Sequence, residues 1–259
     1  MSSVAQFLDV HAEGRPPRRI AFLRSAGTRV GSFGLVWMSG FKSDMVSTKA
    51  SVLSPWAENR GAGFLRFDYS GHGQSSGRIE DFTIGDWLAE SLAAFDGHTE
   101  GPQILVGSSM GGWLALLLAR KLIERGEAAR LRAIVLIAPA WDMTEDLMWK
   151  RFSPEAREAV ERDGVLYRPS DYGEPYALTR ALIEEGRNHL LGGAGFDPGC
   201  PVRIIQGLRD PDVPWEHTLN LVGLLGEDVR LTLVKDAEHR LSREQDLALL
   251  LATIAEFLD

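Results

Sequence analysis

Ser109 lies at the centre of the glycine-rich sequence Gly-Ser-Ser-Met-Gly, which fills the pattern G-x-S-x-G. In that pattern a strand turns sharply into a helix and holds one hydroxyl group at the apex of the turn. Glycines are needed beside the apex because the turn is strained and Cβ atoms there would clash. An apolar run precedes the motif and a run of good helix formers follows it. Ser109 is therefore the predicted nucleophile, and Ser108, the residue before it, is the nearest rival.

A serine hydroxyl becomes nucleophilic when a base removes its proton and a second group orients that base. Two of the six histidines, His217 and His239, lie late in the chain. His239 belongs to the loop sequence DAEHRLS between the last predicted strand and the last predicted helix, from which a side chain can reach back over a sheet edge. His217 lies inside a predicted helix and is interpreted as a surface residue. His239 is the predicted base.

The orienting acid is predicted to be Asp210, which follows the apolar run VRIIQG. Ligands and reacting groups gather at the carboxyl ends of strands in open α/β sheets. Asp212 is two residues further on, Asp236 is close to His239 in sequence, and Asp142 follows another predicted strand. Each of these aspartates also suits a turn, where its side chain bonds nearby main-chain groups. Asp210 is favoured, and the other three stay open as alternatives.

Attack on a carbonyl carbon creates an oxyanion, which must be met by preorganised N–H donors. The residue after the nucleophile, Met110, supplies one predicted main-chain donor. The second is expected from the loop after an early strand, where Ser39, Gly40 and Phe41 follow one another. The N–H group of Phe41 is the predicted second donor of this oxyanion hole.

Alternating apolar runs and helical patterns predict the elements that position these residues. A doubly wound, mostly parallel α/β sheet follows from that alternation. Ser43 or Asp44 is expected to cap the first helix, and Ser242 the last. The predicted strands cover 19–23, 35–38, 63–69, 104–106, 131–138, 202–206 and 229–234, and the predicted helices cover 45–59, 83–95, 113–120, 213–225 and 242–258.

The pattern changes after the fifth of these strands. Residues 142–191 show helical periodicity, many charges and no convincing strand. We therefore expect residues 1–140 and 200–259 to form the core, and residues 141–199 to be an inserted helical cap. Apolar residues at the start of the cap suit an acyl pocket, although side chains at such spacing more often anchor a helix to its core. They are Trp141, Met143, Leu147, Met148 and Trp149.

Composition excludes several other classes of protein. The 259 residues are 44% hydrophobic and 25% charged, which is typical of a globular chain. A net charge of −8 without a dense basic cluster disfavours nucleic acid as a partner. A single cysteine rules out an internal disulfide, and the nucleotide and zinc motifs G-x-x-x-x-G-K-[ST], G-x-G-x-x-G and H-E-x-x-H are absent. We expect no metal and no organic cofactor.

The start of the sequence carries no signal-peptide pattern, and no run reaches the roughly 18 apolar residues that a membrane span needs. The cytoplasm is therefore the expected location, with no membrane span. The expected partner is a small-molecule or acylated substrate, and the sequence carries no signal for an oligomeric state.

The motifs GSSMGG, GLRDPDVP and DYSGHGQSSG resemble those of the α/β-hydrolase superfamily over nearly the whole chain. The stretches SGFKSDMVSTKA and FLRFDYSGHGQSSG are similar to a narrower branch, the mitochondrial palmitoyl-protein thioesterases that are also acyl-glucuronide esterases, with their bacterial relatives. The superfamily resemblance implies the α/β-hydrolase fold and a Ser-His-Asp mechanism. The narrower one implies hydrolysis of thioesters or acyl esters. Ser39 stands where many superfamily members have histidine, but the predicted donor there is a main-chain group.

Two other functions stay open because this scaffold hosts many chemistries. One is a cofactor-free hydrolase of another class, such as a perhydrolase or a carbon–carbon bond hydrolase. The other is a catalytically silent ligand-binding protein, which the presence of Ser109, Asp210 and His239 disfavours.

Overall fold

A computed structural model describes residues 4–11, 15–28, 33–170, 173–193 and 195–258. Its centre is an eight-stranded sheet in the order β1-β2-β4-β3-β5-β6-β9-β10. β1 and β2 run antiparallel to their neighbours, and the other pairings are parallel. The strands are β1 (Gln6–Val10), β2 (Arg18–Ser25), β3 (Gly34–Met38), β4 (Gly63–Phe67), β5 (Gln103–Ser108), β6 (Leu131–Ile137), β7 (Val165–Ser170), β8 (Gly173–Thr179), β9 (Val202–Gly207) and β10 (Val229–Val234).

Helices cover both faces of the sheet, which is why its central strands are continuous apolar runs. In β3, Val36 and Met38 face the cluster that contains the apolar side chains of α2 and α3, while Leu35 and Trp37 face the cluster that contains those of α1 and α7. The predicted doubly wound sheet is confirmed. The helices are α1 (Thr48–Glu58), α2 (Ile84–His98), α3 (Met110–Glu124), α4 (Pro154–Asp163), α5 (Arg180–Gly186), α6 (Trp215–Leu224) and α7 (Glu244–Ala255).

Both predicted helix caps are wrong. α1 begins at Thr48 after Ser47, because the carboxylate of Asp44 instead accepts a hydrogen bond from the N–H of Val46 and closes a turn before the helix. α7 begins at Glu244 after Arg243, because the hydroxyl of Ser242 donates back to the main chain of the preceding loop. Edge strand β1 was not predicted, because its short sequence QFLDV has only two residues of clear strand character.

The segment 141–199 contains α4 and α5, but it also contains the antiparallel hairpin β7–β8, so the expectation of a segment without strands is wrong. Leu166 pairs with Leu178 across the hairpin. Proline and charged residues interrupt both strands and conceal the alternating pattern in the sequence. Among the described residues, no helix combines the length and apolar character needed to cross a membrane.

Candidate active site

Ser109 occupies a strained turn between the end of β5 and the start of α3. Its φ is 55°, in the left-handed region, and its N–H donates to the carbonyl of Ile137 in β6 at 2.9 Å. A Cβ atom on Gly107 would lie 2.3 Å from the carbonyl oxygen of Gly111. A Cβ on Gly111 would lie 2.0 Å from the carbonyl oxygen of Met38. Close main-chain packing therefore requires glycine at both positions of the motif.

His239 bridges Ser109 and Asp210. Its Nε2 atom is 3.0 Å from the Oγ of Ser109, and its Nδ1 atom is 2.8 Å from Oδ2 of Asp210. The ionised carboxylate can only accept, so Nδ1 carries the proton and Nε2 is left to accept from the serine hydroxyl. The structure thus brings together the three residues that the sequence singled out, although they come from three distant parts of the chain.

The carboxylate of Asp210 is fully buried and accepts four hydrogen bonds. Oδ1 accepts from the main-chain N–H groups of Asp212 and Val213, at 2.9 and 2.8 Å. Oδ2 accepts from Nε2 of Gln206 at 3.1 Å, in addition to His239. Burial of a carboxylate is costly unless donors surround it, and here four donors satisfy its oxygens and fix its orientation.

Gln206 was missed by sequence reasoning. Its amide oxygen accepts a hydrogen bond from the hydroxyl of Thr218 at 2.8 Å, and its amide nitrogen also donates to the carbonyl of Val213 at 3.0 Å. The amide therefore fixes one side of the Asp210 carboxylate. The available signal was a glutamine directly after the apolar residues Ile204 and Ile205, since buried polar groups must find partners.

Asp210, Asp212 and His239 place ligand atoms within 4.8 Å of one another, a spacing that a metal ion can use. The oxygens of Asp210 are already engaged by N–H donors, which a cation would displace. The donor set therefore suits orientation of an imidazole better than binding of a metal.

Two of the three rival aspartates lie away from His239. Asp142 accepts hydrogen bonds from the N–H groups of Leu191 and Gly192, at 2.7 and 3.1 Å, and burial raises its pKa. Asp236 pairs with Arg243 at 2.7 Å, and that hydrogen bond lowers the pKa of its carboxyl. Neither carboxylate reaches His239.

His217 is half-buried, so its interpretation as a surface residue is wrong. Its ring stacks on Trp141 with 4.6 Å between centroids, and its Nε2 lies 2.8 Å from the Trp141 carbonyl oxygen. Burial lowers the pKa of His217. Trp141 therefore anchors the start of the 141–199 segment to α6.

The loop after β3 reaches the nucleophile. A Cβ atom on Gly40 would lie 3.2 Å from the Cβ of Ser109 and 3.3 Å from the carbonyl oxygen of Ser108. The next residue, Phe41, lines the cavity above Ser109, and its ring packs edge-on against His72 and Trp87 at centroid distances of 6.0 and 5.9 Å. On the other side α3 begins at Met110, whose N–H is one of the helix-start donors without an intrahelical partner.

A cavity of about 1020 Å³ opens above Ser109 and His239. Of the five apolar residues for which the sequence left both an anchoring role and a pocket role open, Met143, Leu147 and Met148 line the cavity. Trp149 instead lies beneath the guanidinium groups of Arg157 and Arg187. The apolar lining from the 141–199 segment consists of Met143, Leu147, Met148, Phe152, Ala156, Leu166 and Leu178.

A sequence model of the Alpha/beta hydrolase family matches residues 25–252. The chain belongs to the alpha/beta hydrolase family. The human protein named Palmitoyl-protein thioesterase ABHD10, mitochondrial, is 35% identical to this hydrolase over 229 residues, which cover 87% of this chain and 73% of the relative. The narrower resemblance seen in the sequence is therefore confirmed.

Solved structures agree with this assignment. A crystal structure from Agrobacterium vitis S4, described as that of a hydrolase, matches with a TM-score of 0.94 at 42% identity and 99% coverage of both chains. Alpha/beta hydrolase domain-containing protein 10 from mouse matches with a TM-score of 0.84 at 32% identity and 98% coverage of both chains. The hydrolase fold thus extends over nearly all of the chain.

Proposed function

We propose that the chain is a serine hydrolase that cleaves carboxylic esters or thioesters through an acyl-enzyme on Ser109. The observation that carries the proposal is the hydrogen-bonded series Ser109, His239 and Asp210 beneath an open cavity. A base in contact with a hydroxyl, itself oriented by a buried carboxylate, is the arrangement that activates serine for acyl transfer.

In the first step, Oγ of Ser109 attacks the substrate carbonyl while Nε2 of His239 takes the hydroxyl proton. Asp210 stabilises the imidazolium that forms. The negative charge that develops on the carbonyl oxygen is met by the N–H groups of Phe41 and Met110, which border Ser109 from two sides. His239 then gives its proton to the departing alcohol or thiol, and the acyl group stays on Ser109.

In the second step, His239 takes a proton from water, and the hydroxide equivalent attacks the acyl-enzyme carbonyl. The same N–H pair meets the second oxyanion. Collapse of this intermediate breaks the bond to Oγ, which recovers its proton from His239, and the carboxylic acid leaves. The protein groups named here account for every proton transferred, so the cycle is written without a cofactor.

The substrate class follows from the cavity and from the relatives. We propose that residues 141–199 form a cap whose apolar side chains receive the acyl group. A relative named palmitoyl-protein thioesterase supports thioester or long-chain acyl substrates, and the acyl-glucuronide esterase type is the second form of the same chemistry. The relatives' names place them in mitochondria; the cytoplasm stays our proposed compartment for this chain.

The test is kcat/KM for acyl thioesters and oxyesters from acetyl to palmitoyl, with Ser109→Ala as the blank. Each methylene that the cap buries is worth about 0.8 kcal/mol, or roughly fourfold in kcat/KM. A steady rise with chain length is expected. The matched variant Ser108→Ala should retain turnover, because the hydroxyl in contact with His239 belongs to Ser109.

Two results would count against the proposal. Turnover by Ser109→Ala equal to that of the wild-type protein would reject the acyl-enzyme. A flat or falling chain-length profile would reject the long-chain acyl pocket and favour a small-ester hydrolase.

A further inference from the structure

The charges that line the cavity are unlike those of the chain as a whole. The chain has a net charge of −8. Among the residues that the structure describes, its cavity nevertheless has five cationic side chains against two carboxylates, those of Asp44 and Asp212. Like charges gathered around one space repel, so such an arrangement favours a negatively charged occupant. The cations are Lys42, Lys49, Arg151, Arg168 and Arg240.

Lys49 is the cation that the fold encloses most tightly. Its ammonium group donates to the main-chain carbonyl of Arg240 and to the hydroxyl of Ser242, 3.2 Å away. Burial, together with the nearby charge of Arg240, lowers the pKa of Lys49 to about 8. The negative charge of Asp246 acts in the opposite direction and raises this pKa, but the carboxylate of Asp246 is itself paired with Arg243. Within the described ranges, Lys49 forms no ion pair with a carboxylate.

The start of α1 adds main-chain donors to the same wall. Ser47, Thr48 and Lys49 all line the cavity, and the first turn of this 11-residue helix contains no acidic residue. The Oγ of Ser47 is buried and has no hydrogen-bond partner among the residues that the structure covers. A helix N-terminus without an acidic side chain offers N–H groups and positive potential to an anion. The unpartnered hydroxyl supplies one further donor.

The position of Lys49 shows which part of a substrate it would meet. The carbonyl that accepts its hydrogen bond belongs to Arg240, the residue directly after His239. His239 must protonate the departing group, so the leaving half of the substrate lies against this loop. The apolar side chains of the 141–199 segment form a separate part of the lining and suit the acyl half.

We propose that Lys49 and the N-terminus of α1 form a subsite for an anionic oxygen group, of the carboxylate kind, on the leaving half of the substrate. This inference rests on the proposed function, since it assigns the two halves of an ester to the two parts of the cavity. The subsite makes Lys49 a specificity residue: it binds the anionic group and takes no part in bond making.

The test compares two esters with the same butyryl group, one of 4-hydroxybenzoate and one of 4-hydroxybenzamide. The leaving groups have nearly the same shape and differ by one negative charge. The measured quantity is the ratio of kcat/KM for the anionic ester to kcat/KM for the neutral ester, in wild-type protein and in Lys49→Met, Lys49→Arg and Lys150→Met. Lys150 is exposed and paired with Asp146, so it serves as the control.

Lys49→Met should lower this ratio at least tenfold, because it removes a charged donor but keeps a side chain of similar length. Lys49→Arg should keep the ratio within about threefold, and Lys150→Met should leave it unchanged. Lys49 also supports the loop that carries His239, so a structural effect of Lys49→Met would lower turnover of both esters and leave their ratio intact. An intact ratio would overturn the proposal.

Failure of the proposed function has a different signature. In that case neither ester is turned over faster by the wild-type protein than by Ser109→Ala. The subsite is then tested by calorimetric titration with 4-hydroxybenzoate, which should bind the wild-type protein at least tenfold more tightly than Lys49→Met. Equal binding would overturn the subsite independently of catalysis.

Discussion

Replacement of Asp210 by asparagine tests the predicted catalytic roles with the least change of shape. The two main-chain N–H groups that bind Oδ1 still find a carbonyl oxygen in the variant. The new NH2 group then faces Nδ1 of His239, where the carboxylate of the wild-type protein accepts a hydrogen bond. Because an NH2 group cannot accept, the imidazole must turn the lone pair of Nδ1 toward it and carry its proton on Nε2. In that tautomer His239 cannot deprotonate Ser109.

The expected loss is large and specific to catalysis. An equivalent asparagine substitution in a Ser-His-Asp triad costs about 10⁴ in kcat, which corresponds to ~5.5 kcal/mol of transition-state stabilisation. We expect a fall in kcat of about 10³ to 10⁴. The new NH2 group also faces the NH2 group of Gln206, a mismatch that should cost about 1–2 kcal/mol of unfolding free energy. The variant should therefore remain folded at 25 °C, which circular dichroism would check.

The assay is kcat/KM on a short-chain ester together with the rate of fluorophosphonate labelling of Ser109. Matched variants Asp212→Asn, Asp236→Asn and Asp142→Asn remove the carboxylates of the rival aspartates one at a time. Activity of Asp210→Asn within tenfold of the wild-type value would refute the reasoning. So would an equal loss in Asp212→Asn, since that carboxylate is exposed and two residues away.

Two further substitutions test the surroundings of the site. Gly40→Ala should lower kcat/KM about 10- to 100-fold in the same ester assay, with little change in Tm. The reason is that the new methyl group would lie 3.2 Å from the Cβ of Ser109 and 3.3 Å from the carbonyl oxygen of Ser108. Unchanged turnover would contradict this close packing. Burial lowers the pKa of His72 from 6.5 to about 4, so the unfolded chain binds more protons between these values. The free energy of unfolding is therefore not reduced by His72 above pH 6.5. As the pH falls from 6.5 to 4, protonation of the unfolded chain at this residue lowers it by ~3 kcal/mol. Urea unfolding at pH 7 and pH 4 should show this loss in wild-type protein and in the exposed-site control His11→Gln, and a smaller loss in His72→Phe; equal losses in all three would reject it.

Much of the central fold was predictable because local pattern and tertiary structure agree there. β5, the turn at Ser109 and α3 follow directly from an apolar run, glycines and good helix formers. The hairpin β7–β8 was not predictable, because proline and charges break its alternation and its strands form through pairing with each other. Asp44 and Ser242 look like helix caps in the sequence, but each bonds a nearer main-chain group.

The candidate site was predictable where its residues follow recognisable strand ends and turns. Chain order and strand ends singled out Ser109, His239 and Asp210, which the structure places in hydrogen-bond contact; their catalytic roles stay predictions. Lys49 carried no signal in the sequence. Its partner Arg240 lies 191 residues away along the chain, and only the packing of α1 against the loop after β10 brings them together. A contact between residues so far apart produces no pattern in the local sequence.

The carboxylate of Asp142 has a consequence for the modularity of the fold. By bonding the N–H groups of Leu191 and Gly192, it joins the point where the chain leaves the sheet after β6 to the point where it returns toward β9. The intervening residues therefore form a closed loop with a fixed base. The entropic cost of closing a loop rises only slowly with its length, by about 0.6 kcal/mol per doubling. Segments of very different length can therefore be closed by the same hydrogen bonds. One buried aspartate thus fixes the base of this segment whatever the length of the chain between its ends.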